Sequence, residues 1–560
     1  MHKGFKTPFE ISGETATATY EEGIAWYAAL DEAYDEITML SYGTTDAGKP
    51  LHLIVISNDG SSDPEAIKAD NKRILLVNNA IHAGEPDGVD ASMMLARDLL
   101  QRKDLKGVLE HTVIVVIPFY NVEGVLNRGC CSRANQNGPV EYGFRGNGRN
   151  LDLNRDFIKC DSRNAQTFAH IFSTWQPDLL IDNHVTNGAD YQYTMTYIAT
   201  HRNRLEKVFG TYFYEEFIPA LKQKMIERKY ELVPYVELMG EIPDSGMVDW
   251  VEVPRFSQGY SALWNTPGFV AETHMLKPFN ERVWSTYEFM LANLQLLNND
   301  SEKFGKLRKE AIEQTKKQWE FTIAWEPDFS IADSFFFKGY EAGYKKSEIN
   351  DHQRLYYDQS RPYTRYIPFY THYKASVTVK KPVGYVIPQA WHEVIERLKL
   401  NKVEMIRLTK EQSIQVEVLY IKSYETAQRP YEGHYLHSQT KVERDTQTIN
   451  YRPGDYIVWT GQVADRLLIE TLEPEAPDSY FNWNFFDAIL QQKEHFSDYV
   501  FEDLAAMVLE ENAQLKKNFD NMLKNDTAFS NDAHAQLVYI YKNSPYYEPS
   551  AFRYPVTRIY

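Results

Sequence analysis

The chain has 560 residues, too many for one core and enough for about two to four domains. It is 43% hydrophobic and 25% charged, an ordinary composition for a soluble protein. Its formal net charge of −18 repels phosphate backbones, so no nucleic acid partner is expected. No run reaches the roughly 18 apolar residues of a membrane span, so no span is expected either.

The N-terminal stretch MHKGFKTPFEISGETATATY lacks the apolar core of a signal peptide. The expected location is the cytoplasm as the chain stands, or the periplasm or outside if an export signal precedes it. Three cysteines, two of them adjacent at Cys130 and Cys131, cannot build a disulfide framework and lack zinc-site spacing. They are read as incidental rather than redox-active.

Residues 20–36 have amphipathic helical character, and 38–42 and 51–57 read as strands around the turn signal Asp46-Ala47-Gly48-Lys49-Pro50. The apolar run Ile74-Leu75-Leu76-Val77 reads as a buried strand that breaks at Asn78-Asn79 and presents His82-Ala83-Gly84-Glu85. Pro86 then marks a helix start, with Val89, Met93, Met94 and Leu95 as apolar positions and 91–101 as its body. A His and a Glu three residues apart at a strand end can reach one ion, because an imidazole nitrogen and a carboxylate are ordinary zinc ligands. Strand ends that open into helices are also where ligands bind in open α/β sheets. Alone the pair says little, since with 15 His roughly one such spacing arises by chance.

Residues 112–118 form a second buried strand, and strand, helix, strand at this spacing predicts a mostly parallel sheet. Residues 130–154 are a polar, glycine-dotted loop of a length that is usually functional. Within it Arg145 and Arg149 are read as solvated surface charges. Asn154-Arg155 offers a planar fork and a neutral donor, suited to a free carboxylate. Another apolar strand, 179–183, ends in His184 and would bring it to the same sheet edge as His82. The run Gly268-Phe269-Val270-Ala271-Glu272-Thr273-His274 sets a carboxylate inside an apolar strand, which is costly without work or a partner. Such burial raises a carboxyl pKa towards the range useful for proton transfer.

In this order, His82-x-x-Glu85, Asp152-x-Asn154-Arg155, His184 and Glu272 resemble the zinc carboxypeptidases related to carboxypeptidase A. Asn121-Val122-Glu123-Gly124 is similar to the Asn-Pro-Asp-Gly segment of that family. The resemblance covers about residues 15–300, and its motifs are specific in combination. It implies an α/β fold, a three-layer α/β/α sandwich with a mixed, mainly parallel sheet. It implies one zinc ion per chain on His82, Glu85 and His184, with water in the open fourth position. Asp152 then orients the first zinc histidine, Asn154 and Arg155 bind the terminal carboxylate of the substrate, and Glu272 is the general base. Arg133, by its place in the loop, stabilises the oxyanion.

Two departures from the family stand out. The interval from Glu85 to His184 is short, which implies trimmed loops. The mobile tyrosine of the family has no counterpart at its usual place, and Tyr260 is the candidate for it. Ser245-Gly246-Met247-Val248-Asp249-Trp250 echoes the segment that follows that tyrosine. His274, two residues past Glu272 and on the same strand face, is taken as a residue behind the site or lining its pocket.

Past residue 300 the resemblance ends. Residues 301–364 read as a helical bridging segment, and 365–470 as a small β-rich or α+β domain with strands at 374–379, 414–421 and 455–460 around a helix at 391–398. Residues 471–560 read as a mainly helical, aromatic-rich segment. The aromatic residues of 478–503 are expected to pack against residues 1–300, and His434-x-x-His437 to be a polar loop. The expected function is zinc-dependent removal of C-terminal residues from peptides. The runner-up is a zinc deacylase or amidase of the same fold acting on N-acyl amino acids or cell-wall peptides, and the third reading is an inactive peptide-binding module.

Overall fold

The structure, a computed structural model, describes residues 4–560. The first half of the chain is organised on strands β1 (Ile37–Thr44), β2 (Pro50–Ile56), β3 (Arg73–Asn78), β4 (Thr112–Ile117), β5 (Leu179–Thr186), β6 (Met195–Ala199), β7 (Leu232–Pro234), β8 (Met247–Val248) and β9 (Gly268–His274). All but β8 form one eight-stranded sheet in the order β1-β2-β4-β3-β5-β9-β6-β7. Four of its pairings are parallel and three antiparallel. The central strands β4 and β5 are buried along their whole length, which is why they read as unbroken apolar runs rather than alternations.

Helices cover both faces, giving the α/β/α sandwich. Asp87–Gln101 packs against Phe279–Asn299, and Met290 of the latter meets Asn183 of β5. On the other face Arg163–Trp175 and Ser257–Ala262 meet through Phe168, Phe172 and Tyr260, with Phe172 and Tyr260 rings 5.2 Å apart. A buried ion pair locks the layers: Arg282 Nε lies 3.0 Å from Asp87 Oδ2, and Thr273 of β9 donates to the same oxygen.

The helix Ser301–Lys317 stops at Lys317. It is followed by β10 (Glu320–Pro327), β11 (Asp333–Lys346), β12 (Gln353–Tyr370) and β13 (Tyr373–Lys380). The sequence reading of 301–364 as a helical bridge is therefore corrected past residue 317. The period of the aromatic residues decides it: Phe337 is fully buried and Phe335 packs beside it, while the intervening Phe336 is 52% exposed, which is strand alternation. β11 and β12 form a long hairpin, and β8 adds to it in parallel with β12.

β14 (Gly384–Ile387), β15 (Ile406–Arg407), β16 (Gln412–Thr426), β17 (His437–Tyr451), β18 (Tyr456–Trp459) and β19 (Thr557–Ile559) make a six-stranded sheet in the order β15-β18-β14-β19-β16-β17. The helix His392–Leu400 accompanies it. Three helices, Asp498–Glu511, Ala513–Asn525 and Ala533–Lys542, enclose a small core of their own around Phe501, Phe519 and Leu537.

The main apolar core runs without a break from Phe9 to Val556, so the later residues share the interior of the first half. Tyr480, Phe481, Trp483 and Phe486 are fully buried in it. Asp478 receives Arg255 at 2.7 Å, and Glu470 receives Arg204 at 2.8 Å. His434 lies 2.6 Å from Asp161 and His437 3.0 Å from Asp487, so each histidine serves its own contact. Cys130 and Cys131, read as incidental from the sequence, are joined to each other in a disulfide. Among the described residues no helix is long and apolar enough to cross a membrane.

Candidate active site

β3 runs into a turn in which the Glu85 N–H bonds back to the His82 carbonyl at 2.9 Å, so both side chains are presented from one turn. Gly84 is required there, because a Cβ would lie 2.7 Å from Arg133 Cδ and 3.1 Å from the Gly143 carbonyl. β5 is in parallel register with β3, Asn78 opposite Asp182, and so delivers His184 to the same edge. The three side chains are each 3% exposed. His184 Nδ1 lies 3.2 Å from both His82 Nδ1 and Glu85 Oε2, and His82 Nδ1 lies 3.2 Å from Glu85 Oε1. Among the described residues no other group of three or more His, Cys, Asp or Glu is placed to hold a metal.

The remote nitrogen of each imidazole faces a carboxylate. His82 Nε2 is hydrogen-bonded to Asp152 Oδ1 at 3.0 Å, whereas His184 Nε2 lies 2.9 Å from Asp182 Oδ2 as a charge contact without hydrogen-bond geometry. A carboxylate beside the remote nitrogen favours the proton there and leaves the Nδ1 lone pair free. Two such lone pairs and the Glu85 carboxylate in mutual contact call for a cation between them, and two imidazoles with one carboxylate are a zinc donor set. The residues fit that ion. Asp182 went unnoticed in the sequence; its signal is a carboxylate two residues before His184, on the same strand face. Burial opposes charge on Glu85, but Arg133, His82 and His184 outweigh it and hold this carboxyl well below the usual range.

Glu272 of β9 sits directly opposite His184 in the register. It opens onto a cavity of about 460 Å³ that His82, Glu85, His184, Asn154, Arg155, Arg133 and Arg145 also line. Burial pushes its carboxyl up to about 7, with Glu85 adding to the effect and His184 opposing it.

Asp152 does double duty at the far wall: its Oδ1 also accepts the Asn154 N–H at 2.9 Å. Arg155 lies over the Phe256 ring at 4.5 Å and donates to the Asn154 carbonyl. Arg133 donates Nη1 to Glu85 at 2.7 Å, Nη2 to the Val185 carbonyl and Nε to Gln136. Arg145, read from the sequence as a solvated charge, is instead drawn to Asp152 Oδ2 at 2.8 Å and lies 3.6 Å from Glu85. The buried acids attract it, although 45% of its side chain stays exposed. Arg149 donates to the Asp161 carbonyl on the surface.

The sequence model of the zinc carboxypeptidase family matches residues 23–208, a stretch that contains His82, Glu85, Asp152, Arg155 and His184. Residues 23–208 are similar to the zinc carboxypeptidase family, and this match supports a metallocarboxypeptidase enzyme. It is 22% identical over 458 residues to carboxypeptidase 2 of Trichophyton rubrum, covering 78% of each chain. It is 23% identical over 461 residues to carboxypeptidase 2 of Trichophyton tonsurans, again over 78% of each. Among solved structures, a metallo-carboxypeptidase from Burkholderia cenocepacia is similar over 52% of this chain and 70% of its own, at 15% identity and a TM-score of 0.37.

In this metallocarboxypeptidase geometry corrects the sequence assignment of Tyr260 and, of the two readings of His274, removes the one that lines the pocket. Tyr260 is fully buried and donates its hydroxyl to Asn401 Oδ1 at 2.6 Å, away from the cavity; the helix Ser257–Ala262 turns it into the aromatic layer. His274 is fully buried too, with Nε2 3.0 Å from the Ala189 carbonyl and Nδ1 accepting the Leu276 N–H, and it does not line the cavity. It closes the turn that ends β9. The tyrosine that does line the metallocarboxypeptidase cavity is Tyr235, whose phenol is pushed up to about 12 by burial and by Glu272. Trp250, Glu252 and Phe256 line it as well and were not singled out from the sequence.

Proposed function

We propose that this metallocarboxypeptidase hydrolyses the C-terminal residue from peptides. His82, Glu85 and His184 would hold one zinc ion, Glu272 acts as general base, and Asn154 with Arg155 binds the terminal carboxylate. The supporting observation is the cross-strand pair of His184 and Glu272, which sets a carboxyl poised near neutrality beside the metal ligands. When bound, zinc supplies a Lewis acid that polarises a carbonyl and acidifies water.

The terminal carboxylate pairs with the planar Arg155 fork, which lies over the Phe256 ring, and Asn154 adds a neutral donor. That holds the last peptide bond in the cavity that Glu272 shares. Glu272 takes a proton from the attacking water and returns it to the leaving amine, and a carboxyl whose pKa is near 7 can do both. Arg133 spends three N–H groups on Glu85, Gln136 and Val185, which leaves one proton on each terminal nitrogen for the developing oxyanion.

The test is release of free amino acids from a mixed peptide library, with and without a chelator, beside metal content. Chelator-sensitive release of single C-terminal residues, with about one zinc per chain, is the expected result. Bound zinc without release from any peptide would move the assignment to the deacylase, and no zinc to the binding module.

A further inference from the structure

A cavity of about 640 Å³ that shares no residue with the active-site cavity opens where four parts of the chain meet. Glu206 and Lys207 come from the start of the helix Lys207–Tyr212, and Lys317 from the end of the helix Ser301–Lys317. Trp325 comes from β10 and Arg466 from the helix Asp465–Leu472.

The charge behind this cavity is unbalanced. Arg466 is 8% exposed and Arg204 is 1% exposed, and both guanidiniums share one carboxylate. Glu470 receives Arg204 Nη1 on Oε2 at 2.8 Å and Arg466 Nη1 on Oε1 at 3.1 Å. Arg204 Nε is buried with no hydrogen-bond partner. Arg466 lies over the Phe321 ring at 5.3 Å, and among the described residues Glu470 is the one acceptor it meets. Burial, aided by Arg204, outweighs Glu470 and holds the Arg466 guanidinium below its usual range. Two buried cations on one anion leave a positive charge in the interior, which is unfavourable unless a ligand supplies the counter-charge.

The cavity lining adds to that excess. Lys207 and Lys317 line it, and among the described residues neither belongs to an ion pair. Glu206, the one carboxylate in the lining, accepts the Val208 and Phe209 N–H groups on Oε2. The cluster on Glu470 contributes one positive charge, the two lysines add two and Glu206 removes one, so two positive charges stay unmatched. The remaining lining residues are uncharged. In a chain with a formal net charge of −18, such a site attracts anions by its local charge alone.

We propose that this cavity binds a doubly charged oxyanion, the phosphate group of free phosphate or of a phosphorylated small molecule. Arg466 offers the planar fork that pairs with it, and Lys207 and Lys317 supply the flanking charges. The bound anion fastens the helix Asp465–Leu472 to the first half of the chain.

The experiment is isothermal titration calorimetry on the full chain with inorganic phosphate, phenyl phosphate and chloride at one ionic strength. It is run at pH 8, above the second phosphate pKa of about 6. Phosphate is expected to bind at a saturable site and chloride to give no saturable heat. The double variant Lys207→Ala, Lys317→Ala removes two exposed side chains. It is expected to weaken phosphate about tenfold or more, the low end for losing a hydrogen bond to a charged group. Arg466→Lys keeps a charge for Glu470 without the fork and is expected to weaken phosphate as well; the lysine variant carries the test if Arg466→Lys does not fold. Tighter binding of phenyl phosphate, whose ring can lie against Trp325, marks a phosphorylated small molecule as the occupant, and tighter binding of inorganic phosphate marks the free ion. An affinity unchanged in the lysine variant, or lost instead in Arg155→Ala, puts the anion in the active-site cavity and overturns the proposal. Binding of neither phosphate overturns it too.

Discussion

Glu432 Oε2 accepts the backbone N–H of Asp152 at 2.7 Å, across 280 residues of sequence. Asp152 is the carboxylate that faces His82, so a loop from the second half of the chain steadies the orientation of a proposed metal ligand. Glu432→Ala is expected to weaken zinc binding about tenfold, the low end for a group supporting a ligand. Glu432→Gln, which keeps an accepting oxygen, should retain most of the affinity. Competition with a chromophoric chelator measures both.

Glu272→Gln keeps the volume of the side chain and removes the base. Turnover should fall by about 10²–10⁴-fold while zinc content stays at the wild-type level. His184→Ala should lose metal and turnover together. Elemental analysis beside kcat separates the two outcomes, and a fully active Glu272→Gln would refute the base assignment.

Asp90 supplies a pH dependence of stability that is independent of the site. It is fully buried, its Oδ1 accepts the Ala18 N–H at 3.2 Å, and its Oδ2 has no partner. Burial raises its carboxyl to about 7. The folded chain thus keeps a proton that the unfolded chain releases near pH 4, and stability falls as pH rises from about 4 to about 7. Asp90→Asn removes that slope. The stability of the variant relative to wild type should improve between pH 4 and pH 8 by on the order of 4 kcal/mol, read by denaturant unfolding at each pH.

Tyr260→Phe tests the corrected placement. It leaves Asn401 Oδ1 without the hydroxyl that donates to it. A loss of about 1–3 kcal/mol in unfolding free energy is expected, with kcat/KM unchanged. A tyrosine that reached substrate would show the opposite pattern.

The fold of the first half was legible because its central strands are buried on both faces and end in polar residues at one edge. His82, His184 and Glu272 each follow or interrupt such a run, and the registers of β3, β5 and β9 place them together. What stayed hidden came from long-range geometry. Arg145 looks solvated in a polar loop until Asp152 is seen beside it. Tyr235 follows a three-residue strand, Leu232–Pro234, too short to announce itself. Tyr260 was chosen for its nearness to Glu272 in sequence, whereas a helix turns it inwards. Residues 333–370 carry a period of two among charged residues, and the preceding charged helix drew the reading past its true end.

The pairing of β8 with β12 has a consequence for how the chain can be divided. Asp249, Trp250 and Glu252 come directly after β8, and the strand that holds β8 in place, β12 of the downstream hairpin, begins more than a hundred residues later. A fragment cut at residue 300 keeps His82, Glu85, His184 and Glu272 yet leaves the wall carrying Trp250 without its backing. Exchange of the downstream hairpin between relatives would therefore alter which substrates are accepted while leaving the reaction itself in place, and protein engineers could treat that hairpin as a selectivity cassette.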